Sequence, residues 1–339
     1  MIAWNLFRSD MQMPEHMMPT LSDIRKAAER LKGVAIKTPL LYSVSLSEYL
    51  GAQVFIKPEN LQRVGAFKFR GAYNRLCQLT DDEKAKGVVA FSSGNHAQGV
   101  AAAAQILGLK ATIVMPSDAP VMKRDNTLAY GAQVVEYDRE TESREEIAQT
   151  IAAKDGAVVV PAFEDFHVIC GQGTVGLEIY EQGLEMGVEF DHFFSPVGGG
   201  GLISGCGTAL KSLNPDISIH GVEPEGFDDV KRSLAEGRIC SNNRHTGTVC
   251  DALLTLSPGA LTFAIMTKYV NSIMTVSDAE ALNAVKYAWE KLKLVVEPGG
   301  AAALAALLAG HGDVRGKTIC LLLSGGNIDA VTFARAIAP

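Results

Sequence analysis

His192-Phe193-Phe194-Ser195-Pro196-Val197-Gly198-Gly199-Gly200-Gly201-Leu202 reads as a strand that ends in four glycines and opens directly into a helix. Consecutive glycines let the backbone fold into a concave set of N–H donors. Any side chain there would block the close approach of a phosphate, and the helix N-terminus adds favourable potential for an anion. The spacing does not fit the dinucleotide fingerprint: counting from Gly198 the last glycine position falls on Ile203, and from Gly199 on Ser204. No Gly-Lys-Ser/Thr follows, so the nucleoside-triphosphate loop is excluded as well. Two readings stay open on these residues alone: a cradle for another phosphate, or a plain flexible loop.

Outward from this unit the same alternation continues. Short β-branched runs at 53–57, 88–92, 111–115, 133–137, 157–161, 192–197, 218–222, 272–276 and 318–323 predict strands. Helical spacing fills 67–79, 96–107, 121–130, 143–153, 173–185 and 202–213. Such alternation predicts an α/β fold with open, mostly parallel sheets and helices on both faces. Gly131 is placed as a helix C′ glycine, and Ser277 with Glu280 forms a capping box before the next helix. Ligands of such sheets sit where strand ends lead into helices, which directs attention to loops 92–98, 196–204 and 324–327.

The composition is that of an ordinary globular chain: 339 residues, 47% apolar, 20% charged and a net charge of −7. No long basic run is present, so nucleic acid is not an expected partner. No apolar run reaches membrane-spanning length, and Met1–Thr20 lacks the order of a signal peptide, so it is read as a loose arm. Cys77, Cys170, Cys206, Cys240, Cys250 and Cys320 are scattered without a CxxC pair. Reduced packing cysteines in a cytoplasmic protein are expected.

Three further segments carry candidate chemistry. Phe67-Lys68-Phe69-Arg70-Gly71 sets a lysine between aromatics at a helix start. An apolar setting lowers a lysine pKa towards Schiff-base chemistry, whereas the same side chain can also snorkel on a surface helix. Ser92-Ser93-Gly94-Asn95-His96 joins a strand to an Ala-rich helix; Ser93 or Asn95 can serve simply as its cap. Ser324-Gly325-Gly326-Asn327 closes the last strand, either as a turn or as a hydroxyl offered to a ligand.

Taken in order, FKFRG, SSGNHAQG, PVGGGG and SGGN resemble the threonine/serine dehydratase and serine racemase family of fold-type-II, tryptophan-synthase-β-like pyridoxal-phosphate enzymes. The similarity runs from about Leu21 to Asp329. It implies two interwoven lobes with the cofactor in the cleft between them: a large cofactor-binding domain of residues 21–80 and 165–339, and a small domain of residues 81–164, with 1–20 as the arm. Lys68 would be the amine that joins the cofactor aldehyde, with Phe67 against the ring. Asn95 would meet the ring hydroxyl, Gly198, Gly199, Gly200, Gly201 and Leu202 the phosphate, and Ser324 the ring nitrogen. Ser92, Ser93, Gly94, Asn95 and His96 would receive the substrate carboxylate.

The resemblance implies removal of ammonia from L-threonine and/or L-serine, giving 2-oxobutyrate or pyruvate. Serine racemase and 3-hydroxyaspartate dehydratase are the alternatives, and a non-catalytic binding protein on the same fold belongs to a different class. Lys68 would take the α-proton as a general base. Ser93 stands where racemases carry the acid/base of the opposite face, and Arg144 matches an arginine near the substrate entry that can attract a side-chain carboxylate. Glu223-Pro224-Glu225-Gly226-Phe227-Asp228-Asp229 resembles a divalent-cation loop. Glu223, Asp229 and the Phe227 carbonyl would be oxygen ligands for Mg²⁺, or Mn²⁺ or Ca²⁺; an acidic helix start is the other reading. A homodimer is expected from the family, and the short stretch after SGGN leads us to expect no feedback domain.

Overall fold

A computed structural model describes residues 17–92, 94–119, 121–244 and 246–338. Ser93 and most of the predicted arm lie outside the described residues.

Among the described residues ten strands form two sheets. They are β1 (Leu41–Tyr42), β2 (Gln53–Pro58), β3 (Val88–Phe91), β4 (Ala111–Pro116), β5 (Gln133–Tyr137), β6 (Val158–Val159), β7 (His192–Pro196), β8 (Ser218–Pro224), β9 (Ser272–Val276) and β10 (Thr318–Leu323). The larger sheet has the order β1-β2-β10-β7-β8-β9 and the smaller β5-β4-β3-β6. All pairings are parallel except β1 with β2. The chain lays down β1 and β2, leaves to build the smaller sheet, and returns for β7 to β10, so the two lobes are interwoven.

The helices are α1 (Leu21–Leu31), α2 (Val44–Leu50), α3 (Lys68–Leu76), α4 (Asp81–Lys86), α5 (Asn95–Leu107), α6 (Val121–Ala129) and α7 (Arg144–Asp155). They continue with α8 (Phe166–Glu185), α9 (Gly201–Leu213), α10 (Asp229–Glu236), α11 (Ala260–Tyr269), α12 (Asp278–Tyr287), α13 (Ala302–Leu308) and α14 (Ala330–Ile337).

Both sheets are covered on both faces, as the unbroken apolar runs of parallel strands require. Along β10, Ile319, Leu321 and Leu323 pack with α12 and α13, while Cys320 and Leu322 face α8 and α9. In the smaller sheet Ile113 and Met115 face α3 and α5, and Val114 faces α7. Side chains alternate by residue, so each strand feeds two cores.

Gly131 has φ +80° and the Ser277–Glu280 capping box is formed. The main departure is α8, which starts at Phe166 rather than near 173. Asp165 caps it by accepting from the Val168 N–H at 2.8 Å. Glycines at 171, 173 and 176 look like breakers but serve helix crossing. A Cβ on Gly171 would lie 2.6 Å from the Gly71 Cα of α3, and one on Gly176 would lie 2.8 Å from the Cys206 Cα of α9. None of the six cysteines forms a disulfide. No described helix is long and apolar enough to cross a membrane.

Candidate active site

The carboxyl ends of the two sheets face a shared cavity of about 440 Å³. Its wall holds Phe67, Lys68, Ser92, Gly94, Asn95, His96, Arg144, Gly198, Gly199, Gly200, Gly201, Leu202 and Ser324. Every described residue named above for the cofactor or the substrate therefore lines one space. Glu223, Phe227 and Asp229 lie outside that wall.

Lys68 is the first residue of α3, and its Nζ donates to the Ala162 carbonyl at 2.9 Å. Burial, with no anion to compensate it, lowers its pKa to about 8. The segment before it is tied to the SGGN turn: the Phe67 N–H donates to the Ser324 carbonyl at 3.2 Å, and Ala66 bridges to Gly325. Backbone pairing thus fixes the lysine and Ser324 relative to each other.

At the second loop, α5 starts at Asn95 with Gly94 as its N-cap and no side-chain cap. Asn95 lies inside the helix and does not cap it, and the first-turn N–H groups of such a start are donors for a ligand. His96 Nε2 lies 2.9 Å from the Val160 carbonyl and Nδ1 is buried without a partner. Burial first, then the charge of Lys68, lowers its pKa to about 3. The neutral ring must carry its proton on Nε2 to satisfy that carbonyl, which leaves Nδ1 as a bare acceptor. The ring therefore has no second N–H to offer a ligand.

The tetraglycine turn is shaped by close neighbours. A Cβ on Gly199 would meet the Phe163 ring at 2.3 Å. On Gly200, whose φ is +87°, it would meet the Met266 Cε at 2.6 Å. Gly200 caps α9 without a side-chain bond, so the 13-residue helix presents its N-terminal donors to the cavity, the arrangement that suits a phosphate. A carbonyl-reactive amine with a lowered pKa, an anion cradle and a buried hydroxyl at Ser324 together fit pyridoxal phosphate.

Lys123, Phe163, Glu164, Asp251 and Glu297 also line the wall and stand outside the four motifs. Lys123 of α6 is buried and paired with Asp251 across the cavity. Glu297 is 1% exposed, accepts from the Asn95 amide, and has Oε2 without a partner. Burial raises its pKa to about 7, against the charge of Lys123. The acid-Pro-Gly-Gly turn at 297–300 is the one local feature that could have drawn attention to it. Arg144 opens α7 with its guanidinium 5.6 Å from the Phe91 ring centre and paired with Glu145.

In the acidic loop, Glu223 is fully buried and accepts from the Val230 and Lys231 N–H groups at 3.0 and 2.8 Å. Asp229 accepts from Asn242 at 2.6 Å and its Oδ2 is buried without a partner. Burial, then the neighbouring Asp229, raises the Glu223 pKa well above the usual range; burial raises that of Asp229 to about 7. Among the described residues no group of three or more His, Cys, Asp or Glu side chains could hold a metal ion. Any cation here would rest on two carboxylates and backbone oxygen.

Comparison with known proteins agrees with this geometry. The model of the family described as "Pyridoxal-phosphate dependent enzyme" matches residues 31–325. The chain is 44% identical to an L-threo-3-hydroxyaspartate ammonia-lyase of Saccharomyces cerevisiae over 95% of this chain and 97% of that protein. It is 45% identical to an L-threonine ammonia-lyase of Thermotoga maritima, over 94% of this chain and 78% of that one. The structure of maize serine racemase superposes with a TM-score of 0.88 at 38% identity, covering 94% of this chain and 96% of that one. With cavity, lysine and glycine cradle assembled as they are, the chain belongs to the pyridoxal-phosphate-dependent enzyme family, among its ammonia-lyases and serine racemases.

Proposed function

We propose that the protein is an ammonia-lyase that converts L-threonine and/or L-serine to a 2-oxo acid and ammonia. The observation that carries this reading is the convergence of the Lys68 amine, the uncapped start of α5 and the tetraglycine turn on one cavity. The bound cofactor supplies the electron sink that lets the α-proton leave. Lys68 holds the cofactor and then acts as the base that takes that proton; a pKa of about 8 suits the task near neutrality. Backbone donors from Asn95 onward would orient the substrate carboxylate, the Gly94 N–H being given to the Ser92 hydroxyl at 3.2 Å. Ser324, a neutral hydroxyl in the cavity wall, would meet the cofactor's ring nitrogen without forcing a charge on it. Ser93, which lies outside the described residues, would supply the returning proton where racemisation occurs.

A second reading is favoured by a specific feature. Arg144 lines the cavity and is paired, among the described residues, only with its half-exposed neighbour Glu145, which suits a substrate with a side-chain carboxylate, 3-hydroxyaspartate. Glu223, Asp229 and the Phe227 carbonyl form a structural site for Mg²⁺ or a similar hard cation, supported by the orphaned Asp229 Oδ2.

Steady-state kinetics on threonine, serine and L-threo-3-hydroxyaspartate, with 2-oxo acid and chirality both followed, tests the reading. Turnover that disappears in Lys68→Ala is expected. A Lys68→Ala protein of full activity, or wild-type protein inert on all three, refutes it.

A further inference from the structure

Asn95 sits in a hydrogen-bond chain that leaves its side chain one orientation. Asn327 Nδ2 donates to the Val64 carbonyl at 2.7 Å and to Asn95 Oδ1 at 2.7 Å. A backbone carbonyl only accepts, so the Asn327 atom facing it is its amide nitrogen. The Asn95 atom that receives the second N–H must then be its oxygen, and its nitrogen faces Glu297 Oε1. One N–H of Asn95 goes to this carboxylate and the other is left for the cavity that Asn95 lines.

Glu297 is built into that place. Its own N–H donates to the Gly325 carbonyl at 3.1 Å. A Cβ on Gly325 would lie 2.3 Å from Glu297 Oε1 and 3.1 Å from Asn95 Nδ2, so the glycine of the SGGN turn is what admits the contact. The second carboxylate oxygen is buried and unpartnered, a costly state unless the site is completed by a ligand. Lys123 lies near enough to offset its charge.

We propose that Glu297 is a positioning residue that fixes the Asn95 amide with its donor edge turned to the bound cofactor. The ring oxygen that meets Asn95 must then be an acceptor, and Glu297 acts on the cofactor through Asn95. This rests on the pyridoxal-phosphate reading of the cavity.

The test is a double-mutant cycle on cofactor affinity. Pyridoxal phosphate is titrated into wild-type, Glu297→Ala, Asn95→Ala and doubly substituted apoproteins, following intrinsic fluorescence and the visible band of bound cofactor. Each single change should weaken binding about tenfold, the scale of one charge-assisted hydrogen bond, and the double change no more than either alone. Glu297→Gln, which keeps an acceptor, should stay within about threefold of wild type. Losses that multiply in the double variant, or a Glu297→Ala protein with wild-type affinity and an unaltered band, overturn the proposal. If Glu297→Ala does not melt cooperatively, Glu297→Met carries the same cycle. Wild-type protein that binds the cofactor yet turns over no β-hydroxy amino acid defeats the lyase reading and leaves the cycle to be decided on its own.

Discussion

The amine of Lys68 should react as a far stronger nucleophile than its surface counterparts. Its pKa is lowered to about 8 by burial alone. At pH 7 about one molecule in ten then carries the neutral amine, against about one in 3,000 for an unperturbed lysine. Competitive acetylation of the apoprotein, read peptide by peptide by mass spectrometry, measures this directly. The rate at Lys68 should rise with pH to a midpoint near 8. The same shift makes a stability claim. Between pH 8 and the ordinary value of 10.5 the unfolded chain binds the proton that the folded chain has released, so wild-type stability rises with pH across that window. Below it the folded protein carries a desolvated ammonium costing about 3 kcal/mol. Lys68→Met apoprotein should therefore be more stable than wild type at pH 7, with the gap closing as pH passes from 8 to 10.5. A labelling midpoint above 10, or a Lys68→Met protein less stable at pH 7, would refute the reasoning.

Other consequences are equally open to measurement. Mg²⁺, Mn²⁺ or Ca²⁺ should raise the apparent Tm of the wild-type protein, and Glu223→Gln or Asp229→Asn should abolish that rise; a rise retained in both variants would sink the cation site. Ser93→Ala should suppress any racemisation while sparing elimination, and equal loss of both would give Ser93 a positioning role instead. Glu59→Gln should cost about 3–5 kcal/mol in denaturant unfolding, because it weakens a buried ion pair; Arg70 donates to this carboxylate through Nε and Nη2, each at 2.8 Å. A loss below about 1 kcal/mol would show that Glu178 suffices.

What the sequence makes legible is whatever is local. Nine of the strands announce themselves as short apolar runs between turn residues, and β9, β10 and β5 have the very bounds that pattern gives. The loops at 92–98, 196–204 and 324–327 are legible because each follows a strand and is rich in Gly, Ser or Asn. The two-residue β1 carries too little pattern to register. The start of α8 is hidden because Gly171 and Gly173 answer to neighbouring helices rather than to their own. Lys123, Phe163, Asp251 and Glu297 come from separate segments, and only the folded chain brings them to one wall. The pairing of Glu297 with Asn95 spans 202 positions, and no window of sequence can hold it.

The helix that delivers Lys68 also shows why this amine, and not another, is the reactive one. Residues two apart on an α-helix point roughly 200° apart, so Lys68 and Arg70 leave α3 on opposite sides. Arg70 is buried, yet Glu59 and Glu178 more than offset the cost of its burial and hold its charge in place. Lys68 meets the Ala162 carbonyl and, 5.1 Å from its amine, the centre of the Phe67 ring, with no carboxylate among its charge partners. One short helix thus carries a compensated cation that locks it to the larger lobe and an uncompensated one whose pKa burial lowers to about 8. The close crossings at Gly71 and Gly171 hold α3 against α8, so the anchored face cannot move without carrying the amine with it. The same packing that stabilises the fold therefore fixes the position of this uncompensated cation.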